Sequence, residues 1–132
     1  MATSLTVRFH ELDPYGHVNH AVYLTYLEQA RVEHLAAAGL DLLELVDRHG
    51  WQLVVVSVEA RYLAAAGAGE VLTVTCVLLE RRRASAVLEQ EVWRGAEVLV
   101  RARVRVATVD AEGRAIALPG VVSEALAEGG TA

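Results

Sequence analysis

Residues 8–23 read Arg8-Phe9-His10-Glu11-Leu12-Asp13-Pro14-Tyr15-Gly16-His17-Val18-Asn19-His20-Ala21-Val22-Tyr23. Asp13-Pro14-Tyr15-Gly16 is a turn signal, because Pro presets one backbone dihedral and Gly admits conformations closed to other residues. Before it, Leu5 to Phe9 alternates apolar and polar side chains, as a half-buried strand does. After it the period becomes helical. Tyr23, Leu27, Ala30 and His34 fall on one stripe, and Leu24, Leu35 and Ala38 widen it. A long helix is therefore expected from about Asn19 to Ala38, with Asn19 as N-cap and Gly39 as stop. Asp41 to His49 reads as a second, short helix closed by Gly50.

Everything beyond reads as strands. Trp51 to Tyr62 is rich in Val, and Val71 to Leu79 alternates around Thr73 and Thr75. Ala84 to Trp93 and Val98 to Val109 complete four segments, with turns at Ala64 to Gly69, Arg81 to Arg83 and Arg94-Gly95. In the last strand Arg101, Arg103 and Arg105 alternate with Ala102, Val104 and Val106, which puts the guanidinium groups on one face. Pro119 to Glu128 fits a short terminal helix, and Gly129 to Ala132 a frayed tail. The order is strand, long helix, four meandering strands: an α+β layer arrangement in which a five-stranded sheet wraps one helix. A lone helix covers one face of such a sheet, so the edges and the other face invite a partner chain.

The 132 residues suit one domain spanning 1–132, with a core over about 3–118 and a C-terminal tail over 119–132. Hydrophobic residues make up 54% and charged residues 22%, which excludes a disordered chain. The apolar runs are only a few residues long, far short of the ~20 needed to span a membrane. Met1 to Val7 does not resemble a signal peptide, and the lone Cys76 cannot form an internal disulfide, so a cytoplasmic location is expected. The net charge of −5 argues against nucleic-acid binding, which relies on a basic face.

The chemistry concentrates in the opening stretch. Asp13 stands in a tight turn just ahead of a long helix, whose first N–H groups are unpaired and carry the positive dipole end. Such a place holds a developing oxyanion while a neighbouring carboxylate attacks or activates water. The same residues also suit a plain turn cap, so spacing alone leaves both roles open. Ser57 and Ser85 lack the Gly-x-Ser-x-Gly context of a serine hydrolase, and Cys76 reads as a small core residue. No phosphate loop or dinucleotide fingerprint is present.

The run Asp-Pro-Tyr-Gly-His-Val-Asn-His, followed by Tyr23-Leu24 and Glu28-Gln29-Ala30-Arg31, resembles the hotdog-fold acyl-CoA thioesterases. The similarity is to the 4-hydroxybenzoyl-CoA thioesterase superfamily and its long-chain acyl-CoA branch. Val54 to Tyr62 and then Gly69-Glu70-Val71-Leu72 extend it, so that it covers roughly residues 3 to 118. The resemblance implies a hotdog fold: an antiparallel five-stranded sheet around one long helix, dimerising through the sheet, with active sites at the subunit interface. It implies an acyl-CoA substrate, so that coenzyme A is part of the substrate and no cofactor or metal is needed, and a homodimer or homotetramer without nucleic-acid or membrane partners.

Residue by residue, the resemblance makes Asp13 the nucleophile or the general base, and the backbone N–H of His20 the group that polarises the thioester carbonyl. His17 is placed to hold Asp13 through the turn, and Asn19 to cap the helix or touch the thioester. His17 and His20, with His10 and Asp13 nearby, do not make a complete metal ligand set. Glu28 lies three residues before Arg31, a spacing for a local ion pair; it is also the candidate second carboxylate, since other hotdog thioesterases use a helix acid. Arg82, Arg83 and Ser85 match most nearly the basic residues and Ser that contact the coenzyme A nucleotide in the family; a solvated turn is the other reading. Two features depart from the pattern: Leu63-Ala64-Ala65-Ala66 replaces a Pro-containing turn, and His20 stands where Asn is frequent. A Val and Ala lining around the helix stripe, including Val54, Val56 and Val58, suits an aliphatic acyl chain of medium to long length. The rival functions are a hotdog dehydratase, whose His and acid motif is absent here, and a non-catalytic acyl-CoA-binding module.

Overall fold

The computed structural model describes residues 2–128, so the Gly129 to Ala132 tail lies outside the described residues. One antiparallel sheet is built from β1 (Ala2–Thr6), β2 (Gln52–Tyr62), β3 (Val71–Thr75), β4 (Val77–Arg81), β5 (Ser85–Arg94), β6 (Glu97–Val109) and β7 (Ala115–Ile116). Its path runs β1-β3-β5-β6-β2, with β4 also on β5 and the short β7 on β6. Three helices join it: α1 (Val22–Ala37), α2 (Leu42–His49) and α3 (Gly120–Ala127). β3 and β4 are one predicted strand interrupted at Cys76, so the path keeps the five positions expected. The interruption has a side-chain cause. The Thr75 hydroxyl accepts the Glu91 N–H at 3.0 Å, and the Gln90 amide donates to Thr75 O at 3.4 Å, so side chains take groups that a ladder would use.

Alternation sorts the side chains of β6: Ala102, Val104 and Val106 are buried, while Arg101 and Arg103 are exposed. On the inner face α1 buries Tyr23, Tyr26, Leu27, Ala30, His34 and Leu35. Leu24, expected in that stripe, is exposed, and Tyr26 takes the inward place. Two apolar clusters result. One gathers Tyr23, Tyr26 and Leu27 with Leu72, Val92 and Val100; the other gathers Leu35, Leu45, Leu88 and Val104 with Val122 and Leu126 of α3. The packed core therefore continues through Leu126, past the 118 boundary drawn from the sequence. His34 fastens this end, its Nε2 lying 3.0 Å from the Leu126 carbonyl. That contact makes Nε2 the protonated nitrogen.

Several boundaries shift. The first strand ends at Thr6 instead of Phe9: the buried Val7 still bonds Glu70 and Gly69, and Phe9–Glu11 then coil into a 3-10 turn. The α-helix begins at Val22, not Asn19; Asn19 caps the turn leading into it, its Oδ1 accepting the Ala21 N–H at 2.9 Å. Gly39, at φ +86°, ends α1 in a left-handed conformation that a side chain would strain. Asp41 caps α2 by accepting the N–H groups of Leu43 and Glu44.

β2 is the long edge of the sheet. Among the described residues it pairs only with β6, and a bulge falls between Val55 and Ser57. Val55, Val56 and Val58 are exposed, Val56 at 57%. Among the described residues no helix is long and apolar enough to cross a membrane.

Candidate active site

The stretch 11–19 closes on itself through the backbone. Asn19 N–H donates to Glu11 O at 2.9 Å, Asp13 N–H to His17 O at 2.7 Å, and Leu12 and Val18 form an isolated bridge. Gly16 adopts φ +80° inside this loop, which is why Gly serves there. The Glu11 carboxylate braces the loop from outside, accepting the Arg8 N–H at 2.8 Å and the Tyr26 hydroxyl at 2.9 Å. Burial first, and this carboxylate second, raise the Tyr26 phenol above its ordinary pKa.

Within this frame Asp13 is held by one oxygen. Its Oδ1 accepts the Tyr15 N–H at 2.9 Å and the His17 N–H at 3.1 Å, while Oδ2 has no partner among the described residues. His17 thus positions Asp13 through its backbone N–H. Asp13 lines an open cleft of about 350 Å³ together with His17, Val18, His20, Tyr23, Tyr62 and Leu63 to Ala65. Around the helix entrance the N–H groups of Val18, Asn19, Ala21 and Val22 are taken by Ala66 O, Glu11 O, Asn19 Oδ1 and Asn19 O. Among the described residues the His20 N–H has no acceptor. One chain therefore places on one cleft a carboxylate oxygen and a helix-entrance N–H, both without partners among the described residues. That pairing can deliver a nucleophile or a base beside a donor for a carbonyl oxygen.

The opposite wall is the small-residue loop after Tyr62. Ala66 O accepts from Val18 N at 2.9 Å, Leu63 N donates to Leu99 O at 2.7 Å, and Arg94 donates to Ala65 O at 2.9 Å. Arg94 also pairs with Glu70 at 2.7 Å. With the Gly67 N–H it holds the Glu70 carboxyl below the usual carboxylate range. Tyr23 lies beneath this loop. Burial raises its phenol pKa; the Ala66 amide opposes the rise without reaching hydrogen-bond geometry, and the hydroxyl makes no hydrogen bond among the described residues.

The other candidates stand elsewhere. Glu28 is exposed on α1 and does not line the cleft. Arg31 turns inward and donates to Gln90 Oε1 at 2.9 Å; burial lowers its pKa, and Glu28 opposes that shift. No Glu28–Arg31 ion pair within 4.0 Å forms among the described residues. Arg82 and Arg83 are exposed at the β4–β5 hairpin, where Arg82 N–H donates to Ser85 O at 2.8 Å. The Arg82 guanidinium sits 2.6 Å from Glu80 and lowers that carboxyl's pKa. Ser85 Oγ accepts from Arg105 at 3.1 Å, which joins a cationic residue of β6 to the hairpin.

Hairpin and cleft occupy opposite ends of β6. Leu99 holds the cleft wall, whereas Ser85 is registered with Ala107. At about 3.3 Å per residue these points lie roughly 26 Å apart. Val54, Val56 and Val58 belong to the β2 edge and do not line the cleft, contrary to their expected place around the acyl chain, and His34 faces α3. The physical reason is the bulge at Val56 and the edge position of β2, neither of which strand alternation encodes. Sequence reasoning missed Tyr62 as a wall of the cleft; its only signal was an aromatic ending a strand before a small-residue loop.

Cys76 is buried, and burial pushes its thiol up to about 11, which suits a core residue. A larger trough of about 580 Å³ lies on the outer sheet face between Glu59, Arg61, Glu89, Glu91, Arg101 and Arg103. Its charges alternate in sign, and the Asp13 side chain does not reach it. Among the described residues no three His, Cys, Asp or Glu side chains converge as a metal site requires.

Comparison with known proteins gives consistent matches. The model of the thioesterase-like superfamily matches residues 7–126. The long-chain acyl-CoA thioesterase FadM of Escherichia coli (strain K12) is 36% identical over 90 residues, covering 68% of this chain and 67% of that protein. The acyl-CoA thioesterase YbgC of Haemophilus influenzae is 32% identical over 104 residues, covering 79% of this chain and 76% of that protein. The crystal structure of YbaW, a probable thioesterase from Escherichia coli, superposes with a TM-score of 0.82 at 32% identity and covers 96% of each chain.

Proposed function

The chain belongs to the thioesterase-like superfamily, and from that premise we propose how its own residues carry out thioester hydrolysis on an acyl-CoA. The enzyme is an acyl-CoA thioesterase: thioester and water give a carboxylic acid and free coenzyme A. Asp13 is the reacting carboxylate, acting through Oδ2 either on the thioester carbonyl or on a water molecule. The observation carrying this reading is that Oδ1 is bound by two backbone N–H groups while Oδ2, beside the cleft, has no partner among the described residues. The carbonyl oxygen would sit at the His20 N–H, where the α1 dipole favours developing negative charge. Asn19 serves as the cap of the entrance turn, which leaves the His20 N–H unused. Glu28 has no part in this one-chain cleft and becomes a candidate only beside a second subunit.

Coenzyme A recognition is proposed for Arg82, Arg83 and Ser85. At roughly 26 Å along β6 from the cleft wall, this hairpin suits the partner's site better than its own. The β2 edge supplies the means. Two β2 strands pairing antiparallel about a two-fold axis would set the Tyr62 end of one chain beside the Gln52 end of the other. Ser85 is registered with Ala107 and Gln52 with Val109, so the hairpin travels with that end. A homodimer through β2 would thus bring each Arg82–Ser85 hairpin toward the other's Asp13, and pairing of such dimers would give the homotetramer. A cytoplasmic site of action fits a soluble acyl-CoA pool. The acyl group is proposed to be aliphatic, of medium to long chain, in keeping with the long-chain acyl-CoA activity for which FadM is named.

The test is thiol release from acyl-CoA esters of graded chain length by the wild type and by Asp13→Asn. Hydrolysis by the wild type with near-complete loss in the variant is expected. An Asp13→Asn variant with near-normal turnover would overturn the role of Asp13. Binding without turnover by the wild type would leave an acyl-CoA-binding module.

A further inference from the structure

Tyr62 ends β2, yet its hydroxyl reaches across the cleft and donates to the His20 carbonyl at 2.9 Å. Its ring stands edge-on to the His20 ring, with centroids 6.4 Å apart, and lies tilted over Tyr23 at 5.7 Å. In a regular α-helix the His20 carbonyl would accept the Leu24 N–H, four residues on. Here the Leu24 N–H goes instead to Ala21 O at 3.1 Å, three residues back, so the helix leaves the His20 carbonyl unused. Asn19 has already withdrawn the Ala21 and Val22 N–H groups from any other arrangement. The entrance turn is therefore held open by two side chains, Asn19 from within and Tyr62 from the far wall.

We infer that Tyr62 is a positioning residue for the hydrolysis: by bonding the His20 carbonyl it keeps Leu24 from winding the helix back over His20, and so fixes the direction of the His20 N–H. The inference rests on the proposed role of that N–H toward the thioester carbonyl. Without the phenol the Leu24 N–H competes for the His20 carbonyl, the entrance turn relaxes from its tighter 3-10 form into an α turn, and the donor swings off its aim. Sub-ångström aim decides the strength of such a donor in the transition state, because a preorganised N–H needs no reorganisation as charge develops.

Tyr62→Phe keeps the ring and removes one oxygen at a residue that is not part of the buried core. It should lower kcat about 10-fold with KM changed less than about 2-fold, and leave the melting temperature in place. The deciding measurement is infrared difference spectroscopy of carbon-13 carbonyl-labelled octanoyl-CoA bound to Asp13→Asn, in which turnover is blocked. The thioester band should move to lower wavenumber on binding, and should return most of the way to its aqueous position in Asp13→Asn/Tyr62→Phe. A band that shifts on binding and stays shifted in the double variant overturns this inference while sparing the role of His20. No shift in Asp13→Asn itself overturns the role of His20, and this inference with it. A Tyr62→Phe loss confined to KM, with the band still shifted, shows that the hydroxyl grips the substrate directly and also overturns the inference.

Discussion

The two ends of the sheet carry polar clusters of opposite sign and opposite construction. At the Asp13 end the carboxylate sits on backbone N–H groups, in a loop closed by its own backbone hydrogen bonds and braced by Glu11 and Arg94. At the Arg82 end the guanidinium groups stand exposed on long side chains, one of them beside Glu80. A carboxylate that must act on one atom needs its position settled before substrate arrives, and backbone bonds settle it at little cost in side-chain entropy. Cations that meet phosphates act through charge over several ångströms, so mobile and solvated groups suffice. The first cluster is fixed in position within one chain, whereas the second is assigned to a partner's site only by the proposed dimer.

The sharpest way to break this comparison is Asp13→Asn, which should lower kcat by about 10²-fold or more while the backbone loop persists, since the amide oxygen still accepts from Tyr15 and His17. Thiol release at saturating substrate checks it, with circular dichroism for the fold. Next comes Val56→Asp on the exposed β2 edge. A charge there should prevent strand pairing between copies, yield monomers in sedimentation velocity, and cut activity about 10-fold or more because the partner's hairpin is lost. Monomers with full kcat/KM would show that each chain binds its substrate alone. Replacing Arg82 and Arg83 together by Ala should raise KM for acyl-CoA several-fold, on the order of 5-fold, with kcat nearly unchanged. It should spare an acyl-pantetheine ester that lacks the nucleotide; added salt should reproduce part of the effect. Equal damage to both esters would turn the hairpin into a folding element. The smallest change sharpens the rigid end alone. Gly16→Ala meets open space but a φ of +80°, so it should cost about 1 kcal/mol in chemical denaturation and lower kcat more than KM.

Much of the fold was legible because its signals are local. Tyr23, Leu27, Ala30 and His34 repeat at the helical period and are all buried, and Ala102, Val104 and Val106 alternate inward from β6. Asp41 and Gly50 bound α2 by capping chemistry that any sequence shows. What was not legible came from contacts between distant residues. The strand over 71–79 breaks because the Thr75 hydroxyl takes the Glu91 N–H and the Gln90 side chain takes the Thr75 carbonyl, and Leu24 gives way to Tyr26 because the helix is rotated by what packs on it. In the site, the Asp-Pro-Tyr-Gly turn marked Asp13, while the partner of the His20 carbonyl lay 42 residues away on β2.

By itself the sequence determined which residue types stand where chemistry is possible: a carboxylate in a tight Gly turn, a helix beginning just after it, and an arginine cluster between two strands. These follow from neighbouring residues alone, since turn geometry, helical period and alternation act over a few positions. Only the tertiary structure decided which of them share a site. It put Tyr62 and the Leu63–Ala65 loop across from Asp13, and set Arg82 and Arg83 at the other end of β6, with Glu28 outside the cleft. The reason is that strand order and register are set by burial of the whole inner face, and no local pattern carries the distance between two strands that meet only after the chain has crossed the sheet.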